Sequence, residues 1–242
     1  MNYNIIIPTL NEEKFLPKLL GQISDNKLKD KYKYKIIISD GGSTDNTVNI
    51  AVNAGCCVIQ NEKKPFQTIG QGRNLGAKNI DSDYLIFFNA DVILDHPETF
   101  FDEVESILKT EVYVAVGGHV KIYPEEEILV DKLFHGFYNL YFTILIFFGL
   151  GMARGECLII KREIFEKLNG FNEKLVAGED FDLIRRAKKI GKVIYSKNLL
   201  VYESPRRFRK YGYMKISLKW FLNSVSILIN NKSISHSWEE VR

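Results

Sequence analysis

The chain has 242 residues, 45% of them hydrophobic and 26% charged, with a formal net charge of +3. That length suits one large domain or a domain with an appendage, and the composition can bury a sizeable core. So small a charge excludes any global signal for nucleic acid, and three cysteines with Cys56 and Cys57 adjacent exclude a disulfide framework. A reducing, cytoplasmic setting is therefore expected. The N-terminus enters a strand pattern without a basic region or a cleavage site, so no secretory signal is expected.

Residues 4–8, a β-branched run stopped by Pro8, read as a first strand that must end in a loop. The loop at 9–13 opens a helix with Phe15, Leu16, Leu19, Leu20 and Ile23 on one side. Residues 25–34 read as a charged surface connection. A second strand at 34–39 ends on Asp40-Gly41-Gly42-Ser43-Thr44-Asp45. There Ser43 or Thr44 would cap the next helix, and the glycines keep the backbone open to a ligand. A third strand is expected at 56–60. Gly70 to Gly76 begin or lie within a helix, and residues 83–88 form a buried strand that delivers Asn89-Ala90-Asp91. Strands alternating with helices imply an α/β fold with a parallel, doubly wound sheet, which binds ligands at the carboxyl edge of its strands.

A helix at 97–108 and a strand at 112–120 follow. Residues 133–153 contain no Asp, Glu, Lys or Arg. A single membrane span there would separate Asp91 from everything after Arg154. A helix or hairpin lying on or dipping into a membrane surface is expected instead, with a core helix or oligomer contact as the alternative. Then come a strand at 156–161, a short helix at 163–168 closed by Asn169-Gly170, and a helix from Gly178 to Lys189. Two short strands near 193–195 and 200–202 precede Ser204-Pro205-Arg206-Arg207-Phe208. A final helix at 211–229 mixes apolar residues with Lys215 and Lys219, and a frayed polar tail ends the chain.

Four loops would converge on one sheet edge. Glu12 and Asp40 offer acceptors for a base or ribose, and Arg73 offers a cation. Asp91 is a candidate ligand for a divalent metal, Mg or Mn, shared with a diphosphate. Taken alone, Asp91 is more readily a turn or helix-cap residue. The Gly70-Gln71-Gly72 element places Gly76 one residue late for a dinucleotide fingerprint and follows no clear strand, which argues against a nicotinamide-dependent dehydrogenase.

Five motifs together carry a resemblance: residues 8–12, 40–47 and 72–77, Asn89-Ala90-Asp91, and Gly178-Glu179-Asp180. Across roughly residues 4–190 the chain resembles a family 2 glycosyltransferase of the GT-A fold. The resemblance implies a Rossmann-like, mostly parallel sheet with flanking helices. It implies a nucleotide-sugar-binding half (1–121), an acceptor and catalytic half (122–206), and a C-terminal amphipathic helix with its tail (207–242). Pro8, Glu12, Asp40, Gly41, Arg73 and Asn89 would bind the donor, Asp40 recognising its base. Asp91 would hold the metal, and Asp180 would be the general base beside Glu179. A carboxylate that accepts the acceptor's proton suits such a transfer, and adjacent acids raise each other's pKa.

Two departures matter. Asn89 replaces the first carboxylate of the family's Asp-x-Asp, and the Gln-x-x-Arg-Trp motif of processive members is missing. One sugar per cycle is expected, with Arg206 or Arg207 contacting a phosphate of donor or acceptor. The resemblance further implies an inverting transfer from a nucleotide-diphosphate sugar, to a polyprenyl phosphate or other lipid at the inner membrane face, with no nucleic-acid partner. A nucleotidyltransferase would need a Gly-rich, Arg-Lys loop near the N-terminus, which is missing. A non-catalytic sugar-nucleotide or lipid-binding protein would not need both Asp91 and Asp180. The oligomeric state is left open.

Overall fold

Strands covered on both faces by helices are apolar at nearly every position, and the first half of the chain shows this. β1 (Tyr3–Thr9) leads into α1 (Leu16–Ile23), α2 (Asn26–Tyr32) and β2 (Tyr34–Asp40). α3 (Thr47–Asn53), β3 (Cys57–Gln60), α4 (Ile69–Ala77) and β4 (Tyr84–Phe88) follow. The computed structural model describes residues 2–61, 67–78 and 81–235. β1 sends Ile5 and Ile7 into one core and Ile6 into the other, so the sheet separates two apolar layers.

Two local expectations are corrected here. Residues 25–34 hold the helix α2, whose cap is the Asp25 carboxylate accepting the N–H groups of Lys27 and Leu28. Only Leu28 and Tyr32 of that helix are buried, so its apolar signal is weak. Neither Ser43 nor Thr44 caps α3. Asp45 accepts both the N–H and the hydroxyl of Thr47, while Ser43 turns back onto Asp40.

The chain continues through β5 (Val92–Leu94), α5 (Pro97–Lys109), β6 (Tyr113–Ile122), α6 (Leu129–Phe147) and β7 (Cys157–Lys161). It then forms α7 (Arg162–Lys167), α8 (Glu179–Lys188), β8 (Lys192–Glu203), α9 (Arg206–Tyr211) and α10 (Tyr213–Asn230). One sheet contains all eight strands in the order β3-β2-β1-β4-β7-β6-β8-β5. β3, β2, β1 and β4 are parallel as expected, but β7 runs antiparallel to β4 and β6, and β5 antiparallel to β8. The two strands expected near 193–195 and 200–202 are one strand, β8. Its register against β6 slips after Ser196, and that bulge breaks the alternation that marks a strand.

The antiparallel β7 is what builds the site. Phe88 at the end of β4 pairs with Cys157 at the start of β7, so Asn89–Asp91 leave the sheet where Gly155 and Glu156 enter it.

Residues 133–147 are helical, as expected for one form of the 133–153 stretch, but the bounds of that helix, α6, differ. The helix starts earlier, carries Asp131 and Lys132, and ends at Phe147. Its buried face begins with Asp131, His135 and Asn139, while Leu133, Phe137, Leu140, Ile144 and Phe147 are exposed. The polar side faces in because it has partners there. Asp131 receives Arg209 and Tyr213, and Asn139 bonds both backbone groups of Val120. Among the described residues, no helix is long and apolar enough to cross a membrane.

The helix expected at 211–229 is α10, which starts at Tyr213 after Gly212, whose φ of +75° is readily adopted only by glycine, and the short α9 precedes it where no helix was expected. Residues 231–235 do not fray, because the Asn223 side chain accepts the N–H groups of Ile234 and Ser235. The rest of the expected tail, 236–242, lies outside the described residues.

Candidate active site

Arg73 is the centre of the first cluster. It sits on α4, which opens with a reciprocal capping box between Thr68 and Gln71. The glycines of this helix serve packing: a Cβ on Gly76 would lie 2.5 Å from the Ile6 side chain. α4 thereby approaches the sheet closely, and Arg73 is left 1% exposed. Its guanidinium donates to Glu179 Oε1 (2.9 Å), Asn89 Oδ1 (2.9 Å) and the Gly155 carbonyl (2.8 Å). A Cβ on Gly155 would sit 2.5 Å from Arg73 Nη2 and 3.0 Å from Asp180 Oδ2. Only glycine lets the three groups meet.

Burial, then the charge of Asp180, pushes the Glu179 carboxyl up to about 7 despite Arg73. Burial also raises Asp180. Asp180 is half-buried, and its Oδ1 accepts the Phe181 N–H at 2.8 Å. The adjacent acids thus have different surroundings: Glu179 is tied to Arg73, whereas Asp180 faces the cavity described below.

Arg206 organises the second cluster. Its Nη2 lies 2.7 Å from Glu12 Oε1 and 3.1 Å from Asp91 Oδ2, and its guanidinium stands 4.4 Å from the Phe15 ring centre. Burial pushes Glu12 up to about 7, against the pull of Arg206. Tyr123 donates to the Asp91 carbonyl at 2.6 Å and fixes the backbone there.

Asp40 is fully buried. One of its oxygens accepts the N–H groups of Gly42 and Ser43, and the other accepts the hydroxyls of Ser43 and Thr9. With Gly41 donating to the Thr9 carbonyl, these bonds shape the loop after β2. Pro8 meets α4 at Gly72.

A third cluster has no counterpart among the expected site residues. Arg154 holds Glu156 through two nitrogens (3.2 and 3.1 Å), pairs with Glu203, and lies 3.1 Å from His135 Nδ1. Burial pushes Glu203 up to about 8 and, with Arg154, His135 down to about 3. Burial would raise Glu156 too, but Arg154 more than offsets it and its carboxyl is held low. The available signal was the charged Arg154-Gly155-Glu156, placed directly after the uncharged stretch.

One cavity of about 420 Å³ joins these groups. Arg73, Asn89, Asp91, Glu179, Asp180 and Arg207 line it, as do Glu156 and Glu203. An aromatic wall faces them, built from Phe137, Tyr138 and Tyr141 of α6 and Trp220 and Phe221 of α10. Burial lowers the pKa of Arg207. Glu12 and Arg206 join the site through Asp91, while Pro8, Asp40 and Gly41 lie at the adjoining strand ends. Among the described residues no three His, Cys, Asp or Glu side chains could together hold a metal. A lone Asp91 suits only an ion that takes most of its ligands from phosphate and water.

Residues 4–169 match the model of glycosyl transferase family 2. The chain is 27% identical over 231 residues to an O-antigen chain rhamnosyltransferase of Salmonella typhimurium, covering 87% of this chain and 70% of that protein. It is 27% identical over 243 residues to a dolichyl N-acetyl-α-D-glucosaminyl phosphate 3-β-D-2,3-diacetamido-2,3-dideoxy-β-D-glucuronosyltransferase of Methanococcus voltae, with coverages of 92% and 70%. A mannosyltransferase from Pyrobaculum calidifontis, solved with GDP-Man and Mn²⁺, shares the fold with a TM-score of 0.66. Its identity is 19%, over 84% of this chain and 56% of that one. Glu179 and Asp180 lie just beyond the segment that the family model matches. The chain belongs to glycosyl transferase family 2, and is a glycosyltransferase of the GT-A fold.

Proposed function

We propose that this enzyme moves one sugar from a nucleoside diphosphate sugar to a hydroxyl of a lipid-linked acceptor, with inversion at the anomeric carbon. The observation that carries the reading is the shared cavity, in which Asp180, Arg73 and Asp91 face an open aromatic wall. The acceptor oxygen attacks the anomeric carbon and loses its proton to Asp180, whose raised pKa suits a base. The bond from that carbon to the diphosphate oxygen breaks, and its electron pair leaves with the diphosphate.

Arg73 and Glu179 hold the α4, β4 and β7 ends in register around Asp180. Asn89, fixed by Arg73, faces the donor as a neutral amide. Asp91 would hold a divalent ion, Mg²⁺ or Mn²⁺, which when bound offsets charge on the leaving diphosphate. The Mn²⁺ and GDP-Man in the archaeal mannosyltransferase complex support that assignment. Arg206 and Arg207 contact phosphate oxygens. Glu12, Pro8 and Gly41 border the nucleoside, and Asp40 acts there through the loop that it holds.

Two observations support the lipid acceptor. The aromatic wall continues onto the exposed apolar faces of α6 and α10, which would let the enzyme rest on a membrane surface. The Methanococcus relative is named for a dolichyl-linked acceptor. Release of nucleoside diphosphate from UDP-, GDP- and dTDP-sugars, with Mn²⁺ or Mg²⁺ and again with chelator, tests the reading. Ion-dependent release supports it, and NMR of the product reports the anomer. If no sugar nucleotide is bound or turned over with either ion, the reading fails.

A further inference from the structure

Arg154 carries one charge yet pairs with two carboxylates. It donates to Glu156 through Nε and Nη2, at 3.2 and 3.1 Å, and to Glu203 through Nη2. Glu203 already meets the charge of the arginine, so charge balance alone does not call for Glu156. A second carboxylate taken out of water costs desolvation that a purely structural role leaves unexplained. The Glu156 side chain is 15% exposed and lines the cavity. Arg154 holds its carboxyl low, so the group is charged at neutral pH. An ionised carboxylate only accepts hydrogen bonds and has about four lone-pair sites, of which Arg154 takes two. What remains can take hydroxyl donors.

The sheet edge supplies a donor beside it. Phe88 and Cys157 are the last pair of β4 and β7, and both belong to one core layer. Alternation sends the next residues, Asn89 and Glu156, toward the other face, where both line the cavity. An arginine only donates, so Arg73 holds Asn89 by Oδ1 and leaves Nδ2 as the group Asn89 can offer a ligand. An N–H donor next to a charged acceptor matches a sugar hydroxyl, which accepts and donates at once. We infer that Glu156, with Asn89 Nδ2 beside it, reads a pyranose hydroxyl and so determines which sugar the enzyme takes. The inference rests on the reading that sugar is transferred in this cavity, and deepens it by naming a residue that sets specificity. The hydroxyl belongs to the donor sugar or to a sugar of the acceptor, and the two sources give different results below.

Two binding measurements on the full chain, wild type and Glu156→Gln, test this. In the first, calorimetry with Mn²⁺ compares UDP with UDP-glucose and GDP with GDP-mannose. The readout is the ratio of the two dissociation constants in each pair, which isolates what the sugar adds. In the second, saturation-transfer NMR follows methyl glucoside and methyl mannoside, with and without nucleoside diphosphate. A donor hydroxyl at Glu156 predicts that the ratio falls about tenfold for the preferred pair in Glu156→Gln, as expected for a lost hydrogen bond to a charged group. Binding of the nucleoside diphosphate itself should not change. An acceptor hydroxyl predicts an unchanged ratio and loss of the methyl glycoside signal. Arg154 keeps Glu203 in the variant, and a melting curve checks that it folds. Should it not fold, Glu156→Asp keeps the charge, withdraws the oxygens from the cavity and should lose the same factor.

If neither the ratio nor the glycoside signal moves in a folded variant, Glu156 serves only Arg154 and the inference is overturned. It is overturned as well if nucleoside diphosphate and sugar nucleotide weaken by the same factor, because the sugar is then not what Glu156 reads. Failure of the donor reading looks different: the wild type binds no nucleotide at all. A methyl glycoside signal that depends on Glu156 would survive that result, and its absence would remove the inference together with the donor.

Discussion

Arg73 and Glu179 are 106 positions apart in the chain, yet they meet as a buried ion pair at 2.9 Å. The pair ties the glycine-rich helix of the first half to the acid-bearing helix of the second, with Asn89 and Gly155 on the same guanidinium. Arg73→Leu leaves Glu179 buried without its partner and should cost about 3–5 kcal/mol. With the Glu179 carboxyl already near 7, it can escape by taking up a proton. The loss in melting temperature should therefore be smaller at pH 6 than at pH 8. An equal loss at both would show that the charge of Glu179 is not what Arg73 compensates.

Arg206 bridges Glu12 and Asp91 where the proposed ion would stand. In Arg206→Gln, Asp91 loses a competing cation, and the donor would lose the proposed phosphate contact. Binding of Mn²⁺ alone should strengthen, read by its EPR signal, while nucleoside diphosphate binding weakens by about tenfold. If both bind as in the wild type, Arg206 has only a structural role.

Gly155→Ala places a methyl group against Arg73 and Asp180. Repacking a full site around it should cost about 1–3 kcal/mol of stability. Activity should fall further than that loss explains, because the methyl displaces the Asp180 carboxylate. A variant with wild-type kcat would remove Gly155 from the site.

The stability of the ligand-free enzyme should fall as pH rises from 6.5 to 8. The Glu12 and Glu179 carboxyls are raised to about 7 and Glu203 to about 8, from an ordinary 4.5. In that window the folded state holds protons that the unfolded chain has released, so stability declines with pH. The slope is up to about 1.4 kcal/mol per pH unit for each group in its range. The opposite effect, from buried neutral His135, appears only below its ordinary value of 6.5. Glu203→Gln should flatten the slope between pH 7 and 8. A melting temperature that climbs across the window would contradict these assignments.

What could be read from the chain follows from where each element finds its partners. β1, β2 and β4 were legible because helices cover both faces and leave plain apolar runs. The loops holding Asp40 and Asn89–Asp91 come directly after them. β5 has three residues and pairs with a strand over a hundred positions away, so no local pattern announces it. The start of α6 is not legible because a scan for missing charge stops at Lys132, and the groups that let the preceding Asp131 be buried, Arg209 and Tyr213, come much later. The Arg154 cluster was overlooked for the same reason, since Glu203 and His135 lie 49 and 19 positions from the arginine. Arg206 and Arg207 were legible as phosphate-binding candidates, but the bond from Arg206 to Glu12 spans 194 positions and depends wholly on the fold.

The most direct test of the account compares wild type, Asp180→Asn and Asp91→Ala in two assays, donor-dependent release of nucleoside diphosphate and equilibrium binding of that nucleotide with Mn²⁺. Asp180→Asn should bind the nucleotide like the wild type and release it about 10²–10⁴-fold more slowly, the usual worth of a positioned base. Asp91→Ala should lose the part of the binding that depends on the ion. If both variants bind and turn over the donor like the wild type, the cavity is not where the sugar is transferred.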